Sequence, residues 1–367
     1  MVFSVDVDAV QLTWAAAPAG PLELRVGPHR ATLESDGGPG SYRVDGLEPG
    51  SCHAVELRSP AGPDVRLSAT TLARPVGQLL SRVATITDLH LGATTFGVLR
   101  TIRDPAPEHG PAPYRCARRA IEEALDWDAS LVVAKGDLTN HGWRDQWDAV
   151  EELLGDLPVP TLAALGNHDL SQKREAHGLD VLRASGIAHP DPVVCHDLDG
   201  VRVVLVDSTA DLRSHGYLGE RIDDVADAVA DADRPVLLCL HHPPERWPVP
   251  GRYPFGVLWP DTFRLMRRIG RIRRDVVVTA GHTHCNRVAR WGGMPIAETS
   301  STKDYPGCWT GYAVYEGGIT QVTRRTAAPE VLSWTETNGR ALLGWWRPYT
   351  TGLLSHRCFS HPWPARR

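Results

Sequence analysis

The sequence predicts an α/β chain preceded by a small all-β unit, on three observations. From about residue 80 onward, six short apolar runs are continuous, among them "VATI" (83–86) and "VLLCL" (236–240). Continuous runs belong to strands buried on both faces. Between them lie segments whose apolar residues recur at helical spacing. Before residue 75 the apolar residues alternate instead, and no helical period occurs.

Residues 1–74 are the predicted all-β unit. Val10, Leu12 and Trp14 alternate in "VQLTW", Leu22, Leu24 and Val26 in "LELRV", and Val55 and Leu57 in "HAVEL". Gly and Pro clusters ("PAGP", "DGGPG", "LEPGS", "SPAGP") separate these runs at hairpin-like spacing, which makes a β-sandwich the natural solution. "LARPVGQ" (72–78) reads as a linker. Residues 80–327 form the predicted α/β unit, with strands at 83–86, 131–134, 161–165, 203–206, 236–240 and 276–280. Helices are expected at 116–125, 143–154, 171–185, 221–232 and 260–272. In the first of these Ala117, Ala120, Ile121, Ala124 and Leu125 share one face. Residues 328–367 are rich in Trp (334, 345, 346, 363) and lack clear periodicity. They are expected to pack back as a cap or to form a dimer contact, which leaves a homo-oligomer open.

Composition narrows the function. A chain of 367 residues is long enough for two domains. Its 42% hydrophobic and 23% charged residues suit a globular protein. A net charge of −5 offers no general attraction for a nucleic-acid polymer or a membrane surface. No apolar run approaches the ~20 residues that span a bilayer. The opening "MVFSVDVDAVQLTW" has acidic residues and no basic region, unlike a secretory signal. Seven scattered cysteines with no CxxC suit reduced thiols, so a cytoplasmic location is expected.

Ligand sites in open α/β sheets lie beyond the carboxyl ends of the strands. There the chain places Asp88 and His90 ("TDLH"), Asp137 ("KGDLTN"), Asn167, His168 and Asp169 ("GNHD"), His241 and His242 ("HHPP"), and His282 and His284 ("GHTH"). Each piece alone reads as a turn, a helix cap or a packed histidine. Together, five buried strands end in metal-compatible groups. Several Asp and His desolvated in one cleft need a shared cation, or they destabilise it.

The order D-x-H, G-D-x-x-N, G-N-H-D, H-H-P, G-H-x-H over about residues 82–325 resembles the calcineurin-like metallophosphoesterase superfamily. The resemblance implies a double-sheet α/β/β/α sandwich with a two-metal site of Mn, Fe, Zn or Co. It assigns Asp88, His90 and His284 to the first metal, Asp137 as the bridge, and Asn167, His241 and His282 to the second. His241 is chosen over His242 because Pro243 then completes the family's His-x-Pro. His168 is implied as the non-ligand histidine beside the substrate, with Asp169 orienting it. A hydroxide bridging the metals would attack phosphorus. "SYRVDGLEPGSCHAVEL" (41–57) resembles the turn and strand of a fibronectin type III-like module, with Trp14 as its core tryptophan.

Within the superfamily, protein phosphatases read G-D-x-x-D-R-G and G-N-H-E, which this chain does not, and "DLTNHGW" lacks the metal-binding Tyr of purple acid phosphatases. The continuation to "VPTLAALGNHD", with "VDST" (206–209) and "ETSSTKDYPGCWTGYAVYE" (298–316), looks most like bacterial cyclic-nucleotide and glycerophosphodiester phosphodiesterases. A small phosphodiester is therefore the expected substrate. The rivals are a phosphomonoesterase or nuclease on the same fold, and a non-catalytic binding protein that works through the β-module. Arg246, Trp247, Arg252 and Tyr253, in the Pro-rich stretch 243–260, either line the pocket or sit on a rigid surface loop.

Overall fold

The computed structural model describes all residues except 98, 99, 106, 172, 173, 250, 252 and 365–367. Each continuous apolar run forms a strand, and these strands assemble into two six-stranded sheets. The first runs Thr161–Ala164, Leu131–Lys135, Leu79–Ile86, Cys308–Tyr315, Gly318–Arg325, Cys358–Pro362. Its first three strands are parallel and the others join antiparallel. The second runs Val193–Leu198, Val201–Val206, Val236–Leu240, Val276–Ala280, Met294–Glu298, Arg287–Trp291, parallel in the middle and antiparallel at both edges.

The sheets pack face to face. Val83, Leu131, Val133 and Leu162 of the first join Val203, Leu205, Leu237 and Val277 of the second in one buried cluster. Helices Ala112–Asp126 and Arg144–Leu154 cover the outer face of the first sheet. Helices Arg221–Ala230 and Trp259–Ile272 cover the second. This is the predicted α/β/β/α order. Central strands covered on both faces have no polar side to alternate with, so their sequence runs are continuous. At about 1.5–3 kcal/mol per fully buried Val or Leu, this layered core dominates the favourable side of folding.

The expected helix at 171–185 is shorter, covering only Gly178–Ala184. Ahead of it the backbone is used elsewhere: the Glu175 N–H donates to the Gly142 carbonyl at 2.9 Å. That bond anchors Glu175 beside the strand ends, while residues 172 and 173 of the expected helix fall outside the described residues.

The N-terminal strands form two sheets, as expected. One holds Val2–Val5, Val10–Trp14 and Gly40–Val44; the other holds His29–Ser35, Gly20–Val26, Cys52–Arg58 and Val65–Thr70. Leu12, Leu24, Val26 and Val55 fill the space between them. Trp14 does not fill this core; it is half-buried and lies against Gly40 at the end of its strand. This unit packs on the first large sheet through Val322 and Cys358. Gln11 joins it there, with Nε2 donating to the Arg325 carbonyl at 2.7 Å and Oε1 accepting the Arg325 N–H at 3.0 Å.

The Trp-rich tail folds back on its own chain. Helix Pro329–Asn338 packs on Ala112–Asp126 through Val331, Trp334 and Cys116. Cys358–Pro362 adds the edge strand, and helix Trp346–Thr351 approaches the strand ends. Among the described residues, no helix is long and apolar enough to cross a membrane, and all seven cysteines are free thiols.

Candidate metal centre

The sequence-predicted residues converge where the two sheets present their carboxyl ends. Five of them, Asp88, His90, Asp137, His282 and His284, have positive φ, between 45° and 68°. Non-glycine residues reach this region only at a cost of about 1–3 kcal/mol each, and such strain concentrates at functional sites. The left-handed turn lifts each side chain off its strand and aims it into the cleft. Two glycines make room for them: a Cβ on Gly166 would fall on the Asp137 carboxylate and amide, and one on Gly281 would fall on Thr87 Oγ1 and Asp88 Oδ2.

The side chains group as metal ligands do. Asp88, His90 and His284 form one set, Asp88, Asp137 and His241 a second, and His241, His242 and His282 a third; within each, the ligand atoms lie within 4.8 Å of one another. Asp137 Oδ2 stands between them, 3.6 Å from His90 Nε2 and 3.4 Å from His241 Nε2. Asp88 Oδ1 lies 3.3 Å from His284 Nε2.

Hydrogen bonds fix which ring nitrogen faces the cleft. His241 Nδ1 donates to the Lys135 carbonyl at 2.8 Å, leaving Nε2 free. His282 Nε2 donates to the Phe255 carbonyl at 3.1 Å, leaving Nδ1. His284 Nδ1 bonds Asp304 Oδ2 at 2.7 Å, leaving Nε2. A carboxylate or carbonyl behind an imidazole is the support that metal-binding histidines use. His242 pairs its Nδ1 with Ser208 Oγ at 3.0 Å while its ring remains beside His282, 4.5 Å between centroids.

Two observations show that this donor set fits cations. Asn167 Oδ1 and His241 Nε2 are sealed from solvent with no hydrogen-bond partner among the described residues, a costly state for a buried polar atom unless an ion is its partner. The carboxylates also draw positive charge into the cleft. Burial opposes ionisation of Asp88 and Asp137, yet His284 and His241 hold both carboxyls below the usual range. Burial likewise opposes charge on His241 and His284, yet Asp137 pushes the first to about 9, and Asp304 and Asp88 push the second to about 10. His282, desolvated and facing His241, falls to about 3.

His168 lines the cleft with its ring edge-on to His90, 4.4 Å between centroids. Its Nδ1 donates to the Asn140 carbonyl at 3.1 Å. Asp169 is therefore not its orienting group, contrary to the expectation from sequence. The Asp169 oxygens are taken by the N–H groups of Thr139 (2.7 Å), Gly166 (2.8 Å) and Leu138 (3.1 Å), and by Thr139 Oγ1 (2.7 Å). It ties the 137 loop to the 167 loop. Burial, then the nearby charge of Asp137, raises its carboxyl to about 6.

Several residues escaped the sequence reading. Asp304 supports His284, and Lys303, Phe96, Trp143 and Trp346 line a cavity of about 580 Å³ over the cluster. Buried Lys135 joins the sheets beneath it, donating to Thr299 Oγ1 (2.7 Å), Thr279 Oγ1 (2.8 Å) and the Ala280 carbonyl (3.1 Å). The only signal for Asp304 was its place in the stretch 298–316. Of the Pro-rich loop, Tyr253 reaches the cavity, whereas Arg246 lies over the ring of exposed Trp247. Arg252 falls outside the described residues.

Residues 81–286 match the family model described as calcineurin-like phosphoesterase. A probable cyclic nucleotide phosphodiesterase of Rhodococcus erythropolis is 31% identical over 180 residues, covering 47% of this chain and 56% of the relative. Another, of Rhodopseudomonas palustris, is 30% identical over 229 residues, covering 58% and 74%. A glycerophosphodiester phosphodiesterase of Enterobacter lignolyticus is 25% identical over 177 residues, covering 47% and 62%.

Proposed function

Because the chain belongs to the calcineurin-like phosphoesterase family, we propose that it hydrolyses a small phosphodiester at a two-metal centre. Asp88, His90 and His284 would hold one cation and Asn167, His241 and His282 the other, with Asp137 placed to serve both. The observation that carries this reading is the single Asp137 oxygen within 3.6 Å of His90 Nε2 and 3.4 Å of His241 Nε2, which belong to different ligand sets. Mixed oxygen and nitrogen donors admit Mn, Fe, Zn or Co. Bound there, the cations would supply a water of lowered pKa and a clamp on the phosphate oxygens.

The chain's own groups do the rest. Asn167 contributes a neutral oxygen, so the centre keeps positive charge for the phosphate. Asp304 holds the His284 ring, and the Lys135 carbonyl holds His241. The His168 Nδ1–H is spent on the Asn140 carbonyl, so the proton it can pass to the leaving oxygen sits on Nε2. The named activities of the relatives, on cyclic nucleotides and on glycerophosphodiesters, support a diester over a monoester.

The test is hydrolysis of bis-(p-nitrophenyl) phosphate with Mn²⁺. Activity that EDTA abolishes, and that exceeds the rate on p-nitrophenyl phosphate, is expected. Metal-independent turnover, or a preference for the monoester, would overturn the reading. Salt-sensitive cleavage of oligonucleotides would favour the nuclease rival instead.

A further inference from the structure

The cavity over the cluster has two unlike sides. One is the ligand set with His168. The other is aromatic, formed by Phe96, Trp143, Tyr253 and Trp346. On this second side the Trp346 ring lies 5.4 Å from Phe96 and 6.4 Å from His284. It enters from the C-terminal tail, beyond residues 81–286, so the family match says nothing about it. Its indole Nε1–H is sealed from solvent without an acceptor among the described residues. Lys303 stands at the edge of this wall, 5.0 Å over the Phe96 ring and bonded to Asp304 Oδ2 at 3.1 Å.

Resting on the proposed phosphodiesterase activity, we infer that Trp346 and Phe96 form a specificity wall that selects phosphodiesters by their organic group. They favour a flat aromatic group, such as a nucleobase, over a polyol. A glycerol moiety would meet aromatic carbon that cannot answer its hydroxyls. A nucleobase has a π-face for the indole ring. Lys303 is placed to face the phosphate between this wall and the metal ligands. Stacking of one base on one aromatic residue changes affinity by about tenfold or more, so the indole alone can set the preference.

The experiment compares kcat/KM for cyclic AMP and for glycerophosphoethanolamine in Mn²⁺-loaded wild type, Trp346→Ala and Trp346→Phe. The ratio is expected to fall about tenfold or more in Trp346→Ala, through KM for cyclic AMP, and to recover largely in Trp346→Phe. An unchanged ratio, an equal loss on both substrates, or identical behaviour of the two variants would overturn the wall. If neither diester is hydrolysed by wild type, the proposed function fails by itself. Calorimetric binding of AMP then decides the wall separately: about tenfold weaker binding in Trp346→Ala supports it, and equal or absent binding in both proteins refutes it.

Discussion

His168 and Asp169 are neighbours in sequence with unrelated tasks. The histidine ring is aimed by a backbone carbonyl, and the carboxylate next to it is used up on backbone N–H groups. Adjacent residues in a tight loop point in different directions, so sequence adjacency is a poor guide to which group orients which. His168 also lies within ligand range of His90 and Asp137, which makes its role testable. His168→Ala is expected to retain both metals by elemental analysis and to lose about 10²–10⁴ in kcat, the usual share of a general acid. Loss of metal from this variant would make His168 a ligand instead. Asp304 was invisible to the motif reading because a carboxylate behind a ligand has no fixed spacing from it; only the fold brings it to His284.

The strand-end turns are where local sequence and chemistry meet. Asp88, Asp137, His282 and His284 accept a left-handed backbone, and glycine is required at 166 and 281 by close approach to Asp137 and Asp88. Gly166 shows the constraint most clearly, because a side chain there would occupy the space of the Asp137 carboxylate. Gly166→Ala is therefore expected to leave the far-ultraviolet circular dichroism unchanged while metal content falls well below wild type. Full metal content would show that the loop can yield. The tail elements were unreadable for a different reason. Helix Trp346–Thr351 has six residues, less than two turns, too few for a hydrophobic period to show itself.

The two sheets and the N-terminal unit form one packed body through the strand Gly318–Arg325. Arg325 is buried at this junction. It donates to Thr13 Oγ1 at 2.8 Å and to the Pro306 carbonyl at 2.9 Å, and pairs with Glu336 at 2.9 Å. Removing one partner of a buried pair costs about 3–5 kcal/mol when the other charge is left uncompensated; here Glu336 keeps a second partner in Arg347. Arg325→Met is therefore expected to destabilise the protein by less than that in urea unfolding, with the N-terminal unit and the α/β unit still melting together. Separate transitions would show that the junction does not couple them. At this scale the alternation of continuous runs and amphipathic helices was enough to predict an α/β domain, and the family resemblance supplied the layer order. The edge strands Val193–Leu198 and Arg287–Trp291 were not read, since their half-buried residues carry a weaker pattern.

The sequence by itself determined the α/β class, the β-unit before it and the metal-compatible residues at the strand ends. These follow from local pattern: which residues are buried on two faces, and which polar residues come directly after them. Tertiary structure alone decided which ring nitrogen faces the cleft, which groups stand behind the ligands, that Asp169 ties two loops together, and that the tail lends Trp346 to the cavity. Those facts depend on contacts between segments tens to hundreds of residues apart, and no local pattern carries such contacts.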